Sequence, residues 1–130
     1  MKSDGSDSND GLSEGNAFAT ILKAVEVATD DDTIKIVGTI TTTSGIFLSN
    51  TTPINLQKTL TFEGTDDTAT LTGMSGAFRY FTINGNSFNK TVTFRNLIFL
   101  NNSSSLTSGG GVFFNNQPLA VINFENCTFS

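Results

Sequence analysis

The chain has 130 residues and a net charge of −5, from seven Lys and Arg against 12 Asp and Glu, and it holds 12 Phe but no His and no Trp. So few cations cannot make the basic patch that a nucleic acid or an anionic membrane surface requires. No apolar run is long enough to cross a bilayer as a helix. An abundance of Thr, Asn, Ser, Gly and Phe indicates a single all-β domain with short strands and tight turns.

Residues 1–15 are polar and rich in Gly, Ser and Asp, and read as a loop leader. They lack the apolar centre of a secretion signal, so an exported protein would have lost its signal and Met1 need not be native. Asp4, Asp7, Asn9 and Asp10 offer the hard oxygen donors that calcium takes. Their spacing is not that of a calcium loop and no bidentate Glu follows, so Asx turns leading into a helix explain them better. No cofactor is expected.

Residues 16–29 carry the one helical pattern. Phe18, Ile21, Leu22 and Val25 fall at i, i+3, i+4 and i+7, on a single face, with Asn16 as the expected N-cap. Asp30, Asp31 and Asp32 then close the pattern and sit in the following turn.

From residue 33 to 130 short strands recur. "TIKIVG" (33–38), "TLTFEG" (59–64), "TVTFRN" (91–96) and "VINFEN" (121–126) align, with starts 26, 32 and 30 residues apart. Shifting residues 79–100 by 30 lays Val92 on Ile122, Phe94 on Phe124, Asn96 on Asn126, Phe99 on Phe129, Asn86 on Asn116 and Ile83 on Phe113. Alternation places Ile34, Ile36, Leu60, Phe62, Val92, Phe94, Ile122 and Phe124 on one strand face, as stacked interior ladders. Gly38, Gly64, Asn96 and Asn126 share a turn slot, where Gly and Asn accept left-handed backbone and Asn side chains can bond along a column.

Three strands and three turns per repeat predict a parallel β-helix, a solenoid of about four coils standing roughly 15–20 Å tall. Residues 16–29 then form an N-terminal amphipathic capping helix over the first coil, whose interior and edge would otherwise be open. The pattern stops at Ser130 within a repeat, which predicts a fragment of a longer solenoid or an end covered by something else.

Two stretches carry a family resemblance. Gly5 to Val25, "GSDSNDGLSEGNAFATILKAV", resembles the lead-in of secreted bacterial right-handed parallel β-helix proteins of the pectate-lyase-like superfamily. "FLNN" (99–102), "FFNN" (113–116) and "GGGV" (109–112) resemble the repeats of chlamydial polymorphic outer membrane proteins. The resemblance implies an extracellular or cell-surface adhesin, passenger or stalk, meeting a host-surface protein or glycan through outward side chains and loops such as 65–70 and 101–108. A self-assembling fibre or matrix protein stacked through open ends is the alternative. A truncated polysaccharide lyase or glycoside hydrolase is another.

The candidate catalytic carboxylates are Asp30–Asp32, Asp66–Asp67, Glu63 and Glu125. Without His the usual general base is missing, and no nucleophile, base and orienting group come together, so no catalytic residue is assigned. Glu63, Arg95 and Glu125 share the slot before the turn residue and point outward as a solvated column. Thr41, Thr42 and Thr43 run consecutively rather than alternating, and no Thr array is expected to recur at one slot across all coils. The sequons at Asn50, Asn89, Asn102 and Asn126 are those expected by chance in so Asn-rich a chain. Cys127 reads as a small buried apolar side chain.

Overall fold

The computed structural model describes residues 1–41, 54–72, 81–83, 89–100, 113–115 and 120–130. A 3-10 turn at Glu14–Asn16 precedes α1 (Ile21–Val27). Then follow β1 (Asp32–Ile36), β2 (Thr39–Thr41), β3 (Ile54–Asn55), β4 (Leu60–Gly64), β5 (Thr70–Thr72), β6 (Phe81–Ile83), β7 (Thr91–Arg95), β8 (Ile98–Leu100), β9 (Phe113–Asn115), β10 (Val121–Glu125) and β11 (Thr128–Phe129). The fold of the described residues is mostly parallel strand with little helix.

The strands form three parallel sheets in which every third strand returns to the same sheet. Their orders are β1-β4-β7-β10, β2-β5-β8-β11 and β3-β6-β9. In the first sheet Phe62 pairs with Phe94 and Phe94 with Phe124. Their rings stack at centroid distances of 5.2 Å in both steps. Phe99 and Phe129 repeat the arrangement in the second sheet at 5.1 Å, and Phe99 meets Phe94 edge-on at 5.8 Å. Offset and edge-on aromatic pairs add to the burial they bring. Leu60, Phe62, Leu71, Val92, Phe94 and Phe99 are all but inaccessible to solvent, and they belong to one core with Ile34, Ile36 and Ile40.

Two registers differ from the sequence alignment. Ile34 pairs with Phe62 and Ile36 with Gly64, so the first step is 28 residues rather than 26. In the third sheet Ile83 pairs with Asn115, not with Phe113. In the first sheet a shift of two preserves the alternation of faces, and Ile34 and Ile36 are buried with Leu60, Phe62, Val92 and Phe94. Asn86 and Asn116 lie outside the described residues.

The turn slot is also more varied than the alignment implies. Gly38, Asn96 and Asn126 have φ of 68°, 53° and 50°, and the Asn126 amide donates to Asn96 Oδ1 at 2.9 Å. Gly64 is not in that region. It is glycine for a steric reason: a Cβ there would lie 2.1 Å from the Asn96 carbonyl oxygen and 2.6 Å from the Ala69 Cβ. Its corner is longer, five residues (65–69) where 37–38, 96–97 and 126–127 use two.

The helix covers seven residues instead of 16–29, and Thr20 rather than Asn16 is its N-cap, accepting from the Lys23 amide. Residues 17 and 18 cannot join it, because their carbonyls accept from Ser6 and Lys2 of the leader. Phe18 is therefore buried from an extended segment. Ile21 and Val25 are buried from the helix, and Leu22 packs partly against the same core. At the other end Lys58 Nζ donates to the carbonyls of Val25 (2.6 Å), Glu26 (3.2 Å) and Ala28, satisfying the acceptors a helix C-terminus leaves open. The leader is pinned too: Lys2 forms a parallel bridge to Val37, and Met1 is buried.

Candidate functional site

The outward face of the first sheet carries a column of alternating charge. Registers Lys35–Glu63, Glu63–Arg95 and Arg95–Glu125 align the four side chains. Lys35 pairs with Glu63, Arg95 Nη1 lies 3.9 Å from Glu63, and Arg95 Nε donates to Glu125 at 2.6 Å. Hydrogen bonding and charge from Lys35, with charge from Arg95, hold the Glu63 carboxyl below its ordinary range. Glu125 in turn raises the Arg95 guanidinium. Glu63, Arg95 and Glu125 stand where the alignment puts them. Lys35 does not, because the 26-residue spacing sets Val37 in that slot. Matching Thr33 with Thr61 and Thr93 would have found it.

A second link runs across the first three strands of that sheet at their leading ends. Lys90 Nζ donates to Asp30 Oδ2 at 2.6 Å, and the Thr59 amide donates to Asp30 Oδ1 at 2.8 Å. Asp30 is lowered, first by the Lys90 hydrogen bond and then by Thr59. Asp32 Oδ2 accepts from the Thr29 amide, and Asp66 Oδ1 accepts from the Thr68 amide and hydroxyl, which lowers Asp66. Asp66 and Asp67 are exposed on the long corner. The candidate carboxylates thus fall on separate surfaces: the column, its leading end and the corner.

The Asp/Asn-rich leader uses its oxygens internally. Asp7 accepts from the Ala19 and Thr20 amides and, at 2.7 Å, from the Thr20 hydroxyl. Asp10 accepts from the Leu12 amide, Asn9 donates to the Ala17 carbonyl, and Asp4 pairs with Lys2. Of these only the Asp10–Leu12 bond has the two-residue span of an Asx turn; Asp7 and Asn9 instead tie the leader to residues 17–20. Among the described residues no cluster of three or more His, Cys, Asp or Glu could hold a metal ion.

Thr33, Thr61 and Thr93 share one slot, but the fourth strand places Asn123 there, its amide 3.4 Å from Thr93 Oγ1, so no Thr array runs through all four strands of the sheet. The row passes from exposed Thr33 to buried Thr93, so it is not a flat wet array. Thr42, Thr43, Asn50, Asn102 and the loop 101–108 lie outside the described residues. Cys127 is half-buried, its Sγ 3.3 Å from the Phe94 carbonyl oxygen.

One groove accompanies these surfaces. About 520 Å³ in volume, it lies between residues 10–14, α1 and β1, and sequence reasoning did not find it because its walls come from three separate segments. No family model matches the chain, and neither a curated protein nor a solved structure does.

Proposed function

We propose that this chain is part of a right-handed parallel β-helix that works outside the cell, without catalysis, as an adhesin or passenger segment or as a stalk. The observation that carries the reading is the return of every third strand to the same sheet, with steps of 28, 32 and 30 residues along the first. A chain that repeats three parallel strands in order is winding, and crossovers between parallel strands are right-handed almost without exception. In this reading α1 and the leader cover the first coil, with Ile21, Ala24 and Val25 in the same buried core as Ile34 and Ile36.

Three of the candidate carboxylates are poorly suited to act as the acid of a glycosidase. A glycosidase acid needs a raised pKa. Asp30, Glu63 and Asp66 are all shifted down. They serve pairing and turns instead. Recognition would then fall to the outward columns and corners, with a host-surface protein or glycan as partner.

The test is a glycan array probed with the purified chain, run beside assays for sugar release from polygalacturonate and β-glucans. Retention of a glycan without release is expected of an adhesin. A stalk would show neither. Released product would overturn the non-enzymatic reading.

Self-assembly is the second reading, favoured by the far end of the sheets. Val121, Phe124 and Phe129 are 50%, 42% and 55% exposed on β10 and β11. Because the leader and α1 cover the opposite end, pairing of two such ends fits better than an open fibre. Light scattering after gel filtration, over a hundredfold concentration range, should show a dimer if this reading holds and a monomer if it does not.

A further inference from the structure

The groove beside β1 exposes backbone as well as side chains. The Ile36 carbonyl accepts from Thr65 on the β4 side, whereas the Val37 amide and the Lys35 carbonyl face the opposite side and bond Met1. By strand alternation the Thr33 amide and carbonyl and the Lys35 amide face that same opposite side. The Lys2–Val37 bridge covers only its downstream end, and among the described residues no strand pairs with β1 there upstream of the bridge. The open stretch, Asp32 to Lys35, forms one wall of the groove.

The other walls are apolar and acidic. Phe18, Ala24 and Ile34 contribute buried apolar surface, while Leu12 and Val27, 87% and 51% exposed, stand at the lip. Asp10, Glu14 and Asp32 also line it. Of the cations present, Lys35 is taken by Glu63 and the Met1 ammonium by the Lys35 carbonyl. The groove therefore combines an unpaired strand edge, apolar walls and an excess of negative charge.

We propose that this groove docks an extended peptide with alternating apolar and basic side chains, which adds to the free edge of β1 as an outermost strand. Main-chain bonds to Thr33 and Lys35 would hold it, and side chains on one face would reach the carboxylates. This inference does not depend on where the chain works or on its proposed role as an adhesin.

The probe is a fluorescein-labelled heptapeptide of alternating Val and Lys, followed by anisotropy. Three comparisons accompany it: the same peptide with Glu for Lys, a version N-methylated at alternate amides, and the protein variants Thr33→Pro and Glu14→Lys. Proline at 33 removes an amide facing the groove and spares the β1–β4 ladder, as edge strands allow. Saturable binding of the Lys peptide is expected, weakened about tenfold or more by Thr33→Pro and by N-methylation. The Glu peptide should bind poorly, and Glu14→Lys should narrow the difference. Absence of saturable binding overturns the proposal. So does binding indifferent to both Thr33→Pro and N-methylation, which would be charge attraction alone, or binding sensitive only to N-methylation, which would place the peptide on a strand edge other than that of β1. Should Thr33→Pro fail to fold by circular dichroism, Glu14→Lys with the N-methylated peptide decides between the same outcomes.

Discussion

Gly64 and Gly38 occupy what the sequence presents as one slot, yet they are glycine for different reasons, and the difference can be measured. At Gly64 any side chain meets the backbone of Asn96 and the Ala69 methyl, neither of which is a flexible end. Gly64→Ala should cost about 1–3 kcal/mol or more, as overpacking does. At Gly38 nothing lies within 4 Å of an added Cβ, and only the left-handed backbone is strained. Gly38→Ala should cost about 1 kcal/mol, and Gly38→Asn less, because Asn tolerates that region. Urea unfolding of the three variants checks the order, and an equal cost for the two alanines would contradict it. The left-handed turns at Asn96 and Asn126 were legible from residue type. The crowding at Gly64 was not, since it depends on the next strand and on the three extra residues of its corner.

At the scale of elements, the Phe stack and the charged column are two faces of one strand. Phe94 is fully buried between Phe62 and Phe124. Phe94→Ala should destabilise by about 3–5 kcal/mol, and Phe124→Ala, at the exposed end, by less than about 2. The column is solvated, so screening leaves each of its pairs little weight in stability. Its signature is in acid. Glu63 and Asp30 are depressed in the folded chain, chiefly by hydrogen bonds from Lys35 and Lys90, so the unfolded chain binds protons more readily. That stabilisation is complete above the ordinary carboxylate values of about 4 and is lost as pH falls through the depressed ones. The melting temperature should fall below about pH 4, with a shallower acid limb in Glu63→Gln. Alternation of apolar and polar residues made the faces legible. Helix length and the place of Lys35 were not, because the leader's hydrogen bonds shorten the helix and a slip of two preserves the alternation.

For the whole molecule, the leader, α1 and the first two parallel sheets share one apolar core, and the repeats in the sequence foretell the parallel pairing of the strands. What repeats could not announce is how the Asp/Asn-rich leader behaves. Its carboxylates and amides bind its own backbone, fold it against β1 and leave the groove beside the strand edge. The winding itself is tested most directly by cysteine pairs placed across the registers, in a Cys127→Ser background. Adjacent in-register positions fall within disulfide reach, and positions two residues out of register do not. Oxidation should link Lys35→Cys with Glu63→Cys, and Glu63→Cys with Arg95→Cys, as intramolecular bonds identified by peptide mass. The pair Val37→Cys with Glu63→Cys should stay reduced. Preferential linking of residues 37 and 63, or no dependence on register, would contradict the stacked parallel arrangement.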